Sequence, residues 1–287
     1  PYHRTEMLSN HLILALRYAW RKRRYTLLNV FGLAAGVSCC LLIGLYLLDE
    51  ARYDRFWPGG ERVFRINQTN AFEESRTAAT VAVRVGPAVA QGVTGIEAVT
   101  RWHLRPGSVR AEASGGTPSG GQPPKLFQET HVVLVDSAVF LVLPMKLLRG
   151  DADRALAAPG SALVSESTAR KYFGTANPVG RRLRYENRAD LTVTGVFADL
   201  PRTTDLRADF LVRFETLFAV EAPGAAEFLR TDWLFNPTQT YVRLSPGTQP
   251  TPVETRLNEI LRRSGDERVA RHVRLGLQPL HDTHPHS

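Results

Sequence analysis

The stretch most suggestive of chemistry is His281-Asp282-Thr283-His284-Pro285-His286. Three imidazoles and a carboxylate in six residues are donor types that hold a transition metal. Pro285 interrupts the segment and no second shell is legible around it, so a polar turn is the plainer reading and no metal ligand is assigned. The only thiols, Cys39 and Cys40, are adjacent inside an apolar run. Neighbouring residues on a helix point apart, so they do not bond to each other, and the redox compartment stays undecided. Glu166 and Asp199 are isolated carboxylates, and Arg170-Lys171 and Arg181-Arg182-Arg184 read as solvated basic faces. Trp102, Trp233 and Phe235 are expected to pack in a core or between lobes. The sequence contains no G-x-x-x-x-G-K-[ST], H-E-x-x-H, G-x-S-x-G or strand-linked G-x-G-x-x-G. P-loop ATP binding is thereby excluded, and nucleophilic and dinucleotide enzymes are poorly supported. No catalytic, cofactor-binding or metal residue is assigned, and no cofactor is expected.

What remains to be positioned is charge. The chain has 287 residues and a net charge of +8. Residues 1–26 hold six cations against Glu6, so most of the excess sits beside the apolar run that follows. A membrane surface fits that placement better than nucleic acid does, and no nucleic-acid partner is expected. Leu27–Leu48 is uncharged over 22 residues. At ~1.5 Å per residue it spans about 33 Å, enough to cross a hydrocarbon core of ~30 Å. A cleaved signal has a shorter apolar region and a small-x-small site, whereas this run ends in Leu47-Leu48-Asp49-Glu50. Arg23-Arg24 is only a faint echo of a twin-arginine signal, and Gly36 stands where a lipoprotein signal wants a leucine-like residue before Cys39. The run therefore reads as a transmembrane helix over 27–48.

Arg21, Lys22, Arg23 and Arg24 flank one end of the run, and Asp49, Glu50 and Asp54 the other. The positive-inside rule puts the N-terminus in the cytoplasm and 49–287 outside. Leu8, Leu12, Ile13, Leu16, Ala19 and Trp20 share a helical face, so 1–26 reads as an amphipathic helix lying along the cytoplasmic interface of the lipid. Gly32 and Gly36, with Gly44 two turns on, suit close packing against another helix, although spanning helices also tolerate glycine for no such reason.

Beyond the span, Asp49–Phe56 is expected to prolong the helix until Pro58-Gly59-Gly60. Strands are expected over 61–67, 96–104, 127–135, 163–164, 181–185, 191–196, 210–214, 240–244 and 273–277. Helices are expected over 80–91, with Val83, Val85, Val89 and Ala90 buried, over 166–173 with Ser165 as N-cap and Gly174 as stop, and over 253–263. Ser114–Pro124 reads as a flexible hairpin tip. The mixture predicts an α+β fold in two lobes.

Several motifs, in order, carry a family resemblance. Arg52-Tyr53-Asp54-Arg55-Phe56 with Glu61-Arg62-Val63-Phe64 follows the span. Leu148-Arg149-Gly150-Asp151 leads to Ala155-Leu156. Leu163-Val164-Ser165-Glu166 leads to Tyr172-Phe173-Gly174 and Asn177-Pro178-Val179-Gly180. Thr194-Gly195-Val196 precedes Asp199-Leu200-Pro201, and Gln278-Pro279-Leu280-His281-Asp282 comes last. This set resembles FtsX-like ABC transporter permeases that carry a MacB-type periplasmic core domain. Departures, such as Trp57 and Gly59-Gly60 in the first motif, Arg202-Thr203-Thr204 and Pro285, fall in expected surface loops. The resemblance implies a two-lobed periplasmic domain: a porter-like α+β lobe (about 49–100 and 205–287) with an inserted β-rich lobe (about 101–204). It also implies that the chain is the N-terminal part of a longer permease of the bacterial inner membrane. The expected partners are a cytoplasmic ABC ATPase subunit, a second permease copy, lipid, and a periplasmic adaptor or lipoprotein. ATP hydrolysis then drives a periplasmic conformational change for export or extraction of a substrate. A membrane-anchored extracytoplasmic binding or scaffold domain without transport stays open beside it, and an anchored enzyme after that. The cation distribution has a direct check: a reporter active only outside the cytoplasm, fused after Ser287, should give signal, whereas a cytoplasm-only reporter should be silent.

Overall fold

The computed structural model describes residue 17 and residues 20–50, 57–70, 76–112, 126–201, 204–263 and 266–282. Two compact units divide the chain, Pro1–Arg52 and Tyr53–Ser287. The first contains one long helix, α1 (Arg23–Glu50), of 28 residues. Its apolar side chains, including Leu28, Phe31, Leu33 and Leu42, are largely exposed. A helix that is apolar all round has no water-facing side, and lipid is the solvent that matches it. Asp49 and Glu50 belong to α1, while 51–56 and residues 1–16, 18 and 19 of the expected interfacial helix lie outside the described residues.

The second unit runs β1 (Val63–Asn70), β2 (Arg76–Ala78), α2 (Val85–Gly92), β3 (Ile96–Leu104), β4 (Gly107–Ala111), β5 (Leu126–Glu129), β6 (Val132–Val135), α3 (Val139–Val142), β7 (Leu147–Arg149) and β8 (Ser161–Ser165). It continues with α4 (Glu166–Phe173), β9 (Arg182–Tyr185), β10 (Ala189–Phe197), β11 (Phe210–Arg213), α5 (Thr216–Val220), α6 (Pro223–Thr231), β12 (Gln239–Leu244), α7 (Pro250–Arg262), α8 (Glu267–His272) and β13 (Val273–Pro279). The described strands form one sheet in the order β13-β1-β12-β3-β6-β11-β8-β10-β9-β4-β5, with β2 on β1 and β7 on β10. Most neighbours are antiparallel, but β8–β10 and β6–β11 run parallel. This is the mixed-sheet α+β architecture expected.

Alternation along the strands separates the cores. On one face, Val63, Trp102, Val133, Val135, Leu163, Phe197, Leu211 and Tyr241 pack with Val139 and Val142 of α3. On the other, Phe64, Ile66, Val242 and Leu275 pack against α2, α7 and α8. Further along that sheet, Val109, Val132, Val164, Leu183, Val193 and Phe210 pack with Tyr172 of α4. The first core draws on residues from both of the segments expected to form separate lobes, and one continuous sheet runs through them. One strand differs from its expected membership. Phe210–Arg213, assigned by sequence to the segment from 205 onward, pairs with β6 on one side and β8 on the other. Its all-apolar Phe-Leu-Val core fills both faces of the inserted half.

Local details also shift. The first outer strand begins at Val63, because Gly59 (φ 69°) turns the chain into a 3-10 turn over Gly60–Arg62. The expected 127–135 strand splits into β5 and β6 around Thr130-His131. Ala90 is exposed, unlike Val83, Val85 and Val89. Residues 113–125 lie outside the described residues, and the flanking β4 and β5 pair antiparallel as a hairpin requires. The edge strand β13 is closed off by α7: Asn258 donates to the Leu275 carbonyl (2.8 Å) and accepts from its N–H (3.0 Å), and Glu254 accepts from Leu277 N–H (2.7 Å). Side chains thus satisfy backbone groups that would otherwise invite another strand.

Two tight places can be tested. Gly150 (φ +100°) lies where β7 meets β10; a Cβ there would sit 2.6 Å from the Thr194 carbonyl oxygen. A Cβ on Gly195 would sit 2.6 Å from the Arg149 carbonyl oxygen, at the register shift between Val193 and Gly195. Gly150→Ala and Gly195→Ala should each cost about 1–3 kcal/mol in chemical denaturation, whereas Gly224→Ala, in open space on α6, should be neutral or stabilising.

The β9–β10 turn places Glu186 and Asn187 at positive φ (52° and 53°) and is closed by Arg188 N–H on the Tyr185 carbonyl (3.0 Å). Glu186 is held there because its carboxylate accepts Ser108 N–H (2.6 Å) and Oγ–H (3.2 Å). The backbone N–H of Ser108 holds its pKa below the usual carboxylate value. A depressed folded pKa stabilises fully above the unfolded value of about 4.3, and the benefit disappears as pH falls through the folded value. Glu186→Gln should lower stability by about 1 kcal/mol at pH 7, and the gap to the parent chain should close below about pH 4 in urea titrations.

Candidate functional site

Along α1, Gly32, Gly36 and Gly44 occur at helical spacing, and a Cβ at any of them would meet nothing within 4 Å. All three stand on open surface of the helix. Arg21, Lys22, Arg23 and Arg24 crowd the helix start, all exposed, and Cys39 and Cys40 are exposed as well.

In the second unit, the motif residues between Leu148 and Pro201 gather around β7, β10 and α4. Ser165 caps α4, its Oγ accepting Thr168 N–H (3.3 Å), and Gly174 (φ 62°) follows the last turn. Asp199 arrives from the end of β10 as a second cap, accepting Ser167 N–H (3.0 Å) and Oγ–H (2.9 Å). It is thus no isolated carboxylate. Asn177 Oδ1 accepts Val179 N–H and an Arg149 N–H, both at 3.3 Å, and Gly180 (φ 85°) donates to Val193 O (2.8 Å). Pro178 O accepts Arg181 N–H (3.0 Å), so this segment is a folded turn against β10. Asp151 accepts Asp153 N–H (3.0 Å), and Glu166 pairs with Arg170 (3.2 Å) on the exposed helix surface.

Tyr172 is buried among Phe127 (centroids 5.1 Å), Phe210 (5.6 Å) and Phe173 (6.1 Å). Its hydroxyl donates to Glu129 (2.6 Å), which also takes Lys171 (2.7 Å). Burial first, then the Glu129 carboxylate, pushes the phenol far up, so Tyr172 stays protonated and acts as a donor. Lys171 is therefore no free basic face. Sequence gave no signal for this triad because Glu129 and Tyr172 are 43 positions apart.

A cleft of about 410 Å³ opens beside α4, lined by His131, Ser167, Asp199, Pro201, Arg207 and Asp209. His131 pairs with Asp209 (3.1 Å), while the Ser167 hydroxyl is held by Asp199 (2.9 Å). Hydroxyl and imidazole are thus tied to different carboxylates, which is not the serine–base–orienter arrangement of a nucleophilic hydrolase. Motif residues here shape turns and cap a helix.

Among other expected residues, Trp102 and Trp233 are buried, but Phe235 is 53% exposed and stacks only on exposed Phe228 (5.8 Å). His281 lies 3.5 Å from Asp282, while His284 and His286 fall outside the described residues, as do Tyr53, Asp54 and Phe56. Among the described residues, no group of His, Cys, Asp or Glu is placed to hold a metal ion.

No curated protein is significantly similar in sequence. Among solved structures, a domain of a permease protein from Porphyromonas gingivalis is 25% identical, with a TM-score of 0.60, covering 78% of this chain and 92% of its own. The periplasmic region of MacB from Actinobacillus actinomycetemcomitans shares the fold, with a TM-score of 0.50 at 17% identity, over 77% of this chain and 89% of its own. The family model for the MacB-like periplasmic core domain matches residues 26–260, which takes in most of the sheet and the motif turns around β7, β10 and α4. The chain belongs to the family of MacB-like periplasmic core domains.

Proposed function

We propose that the chain is part of a permease subunit of an ABC transporter. In this reading α1 spans the inner membrane with Arg21–Arg24 on the cytoplasmic side, and residues 49–287 stand in the periplasm. A separate cytoplasmic ATPase subunit hydrolyses ATP, and the outer domain changes conformation to export or extract a substrate. The chain itself is not an enzyme. The observation that carries this is the pairing of an exposed, uncharged 22-residue run behind a cationic flank with a domain of this family.

The division into lobes is part of the proposal: a porter-like lobe near 49–100 and 205–287, and an inserted lobe near 101–204. The halves of the sheet support it, with β11 counted on the inserted side. The role of the motif residues is structural, to hold α4 and β7 on β10. The Gly32/Gly36/Gly44 strip packs on another helix, in a second permease copy or in a later span, since lipid supplies no hydrophobic drive and close van der Waals approach must do the work.

The test is assembly and coupling in the complete permease with its ATPase. Gly32→Leu should weaken permease association and reduce ATP-driven transport at least several-fold, read by crosslinking yield and transport rate. Intact assembly and transport in that variant would remove the packing role. ATP hydrolysis by the purified chain alone would overturn the division of labour.

A further inference from the structure

A second concavity, of about 420 Å³, sits where the two halves of the sheet join. One wall is the start of α2, with Arg84, Pro87 and Ala88; the others are Arg101 from β3, Phe218 from α5 and Arg230 from α6. Each arginine sets its guanidinium carbon over a ring: Arg84 over Trp233 (4.2 Å), Arg101 over Phe214 (3.4 Å) and Arg230 over Phe218 (4.1 Å). Stacking occupies guanidinium faces and leaves the in-plane N–H donors, which are the groups that grip a carboxylate.

The three cations are not equally committed. Arg101 is buried and neutralised by Asp136, which accepts from its Nη2 (2.6 Å), Nε (2.9 Å) and backbone N–H (2.8 Å). Arg84 donates one N–H to the Thr231 carbonyl (2.5 Å) and has no carboxylate partner among the described residues. Arg230 has only a loose contact with exposed Glu227 (3.9 Å). The single carboxylate lining the groove, Glu215, is engaged with Arg213. Two guanidiniums with open donors therefore face a groove walled by Pro87, Ala88, Val83 and Phe218.

We propose that this groove binds an acidic peptide segment of a partner protein, with a carboxylate on Arg84 and Arg230 and a small apolar side chain against Pro87 and Phe218. A concave, partly apolar slot suits an extended chain better than a flat membrane surface, and a free phosphate would leave the apolar wall unused. A segment lying there touches α2 and β3 of one half and α5 and α6, which follow β11, and so bridges the joint between them. The proposal does not depend on the transport reading, because it concerns binding to the folded chain alone.

The probe is a fluorescein-labelled decapeptide of alternating glutamate and alanine with one central leucine, titrated by anisotropy against the full chain in a neutral detergent. Saturable binding that weakens with added salt is expected. Arg230→Glu should weaken it about tenfold, since attraction becomes repulsion at an exposed site. Glu215→Gln should tighten it about two- to threefold, a gain that misfolding cannot produce. Arg262→Glu, on α7 away from the groove, should change nothing. Binding no tighter than that of the lysine-for-glutamate peptide, or unaltered by Arg230→Glu in a variant that melts normally, would overturn the proposal. Full displacement by millimolar phosphate, or preferential capture by phosphatidylglycerol vesicles over the peptide, would overturn it as well, assigning the arginines to a simple anion or to lipid.

Discussion

The outer unit depends on one four-residue strand. β6, Val132 to Val135, has no exposed surface, and its side chains alternate into three separate clusters. It pairs antiparallel with β3 on one side and parallel with β11 on the other, joining the two halves of the sheet. A strand buried on both faces cannot slip by one residue without reversing every contact, so β6 sets the register across the joint. The Arg101–Asp136 pair fastens the same place, since Asp136 follows directly on β6 and Arg101 lies on β3. The arginine-lined groove exists because that joint leaves α2 and α5 facing each other over Leu134, Phe214 and Leu217.

Residues that look chemical in the motifs turn out to serve backbone geometry. Asp199 and Ser165 together satisfy N–H groups at the start of α4, which an eight-residue helix needs because half of its amide donors have no intrahelical partner. Gly150 and Gly195 let two backbones approach closer than any side chain permits. Glu129, Tyr172 and Lys171 then tie α4 back onto β5, with Glu129 and Tyr172 buried and Lys171 closing the network from the exposed side. An arrangement of this kind fixes α4 against the sheet.

The long apolar helix α1 matches a different solvent. In water its exposed Leu, Phe and Ile side chains would be costly, at roughly 25 cal/mol per Å² of apolar surface; in hydrocarbon that cost vanishes, and only backbone satisfaction and flanking charge constrain the segment. The same logic explains why its glycines are tolerated, and why small residues rather than large ones make a strip for helix association.

How much could be read from the residues alone follows the range of the forces involved. The uncharged run, its cationic flank, the Ser165 cap and the Gly174 stop are written within a few consecutive positions, and each was legible there. The α+β mixture and the order of the motifs were legible for the same reason. The strand Phe210–Arg213 was visible as a strand, but not as the partner of β6 and β8, because pairing depends on strands many positions away. Phe235 looked like core by its type, yet it stands exposed beside Phe228. The Asp199 cap, the Glu129–Tyr172 bond and the Arg84–Trp233 stack join residues 32 to 149 positions apart. Local propensity and solvent matching act along the chain and were determined by sequence; the joint, its groove and its buried polar pairs arise from contacts across the fold, which only tertiary structure decided.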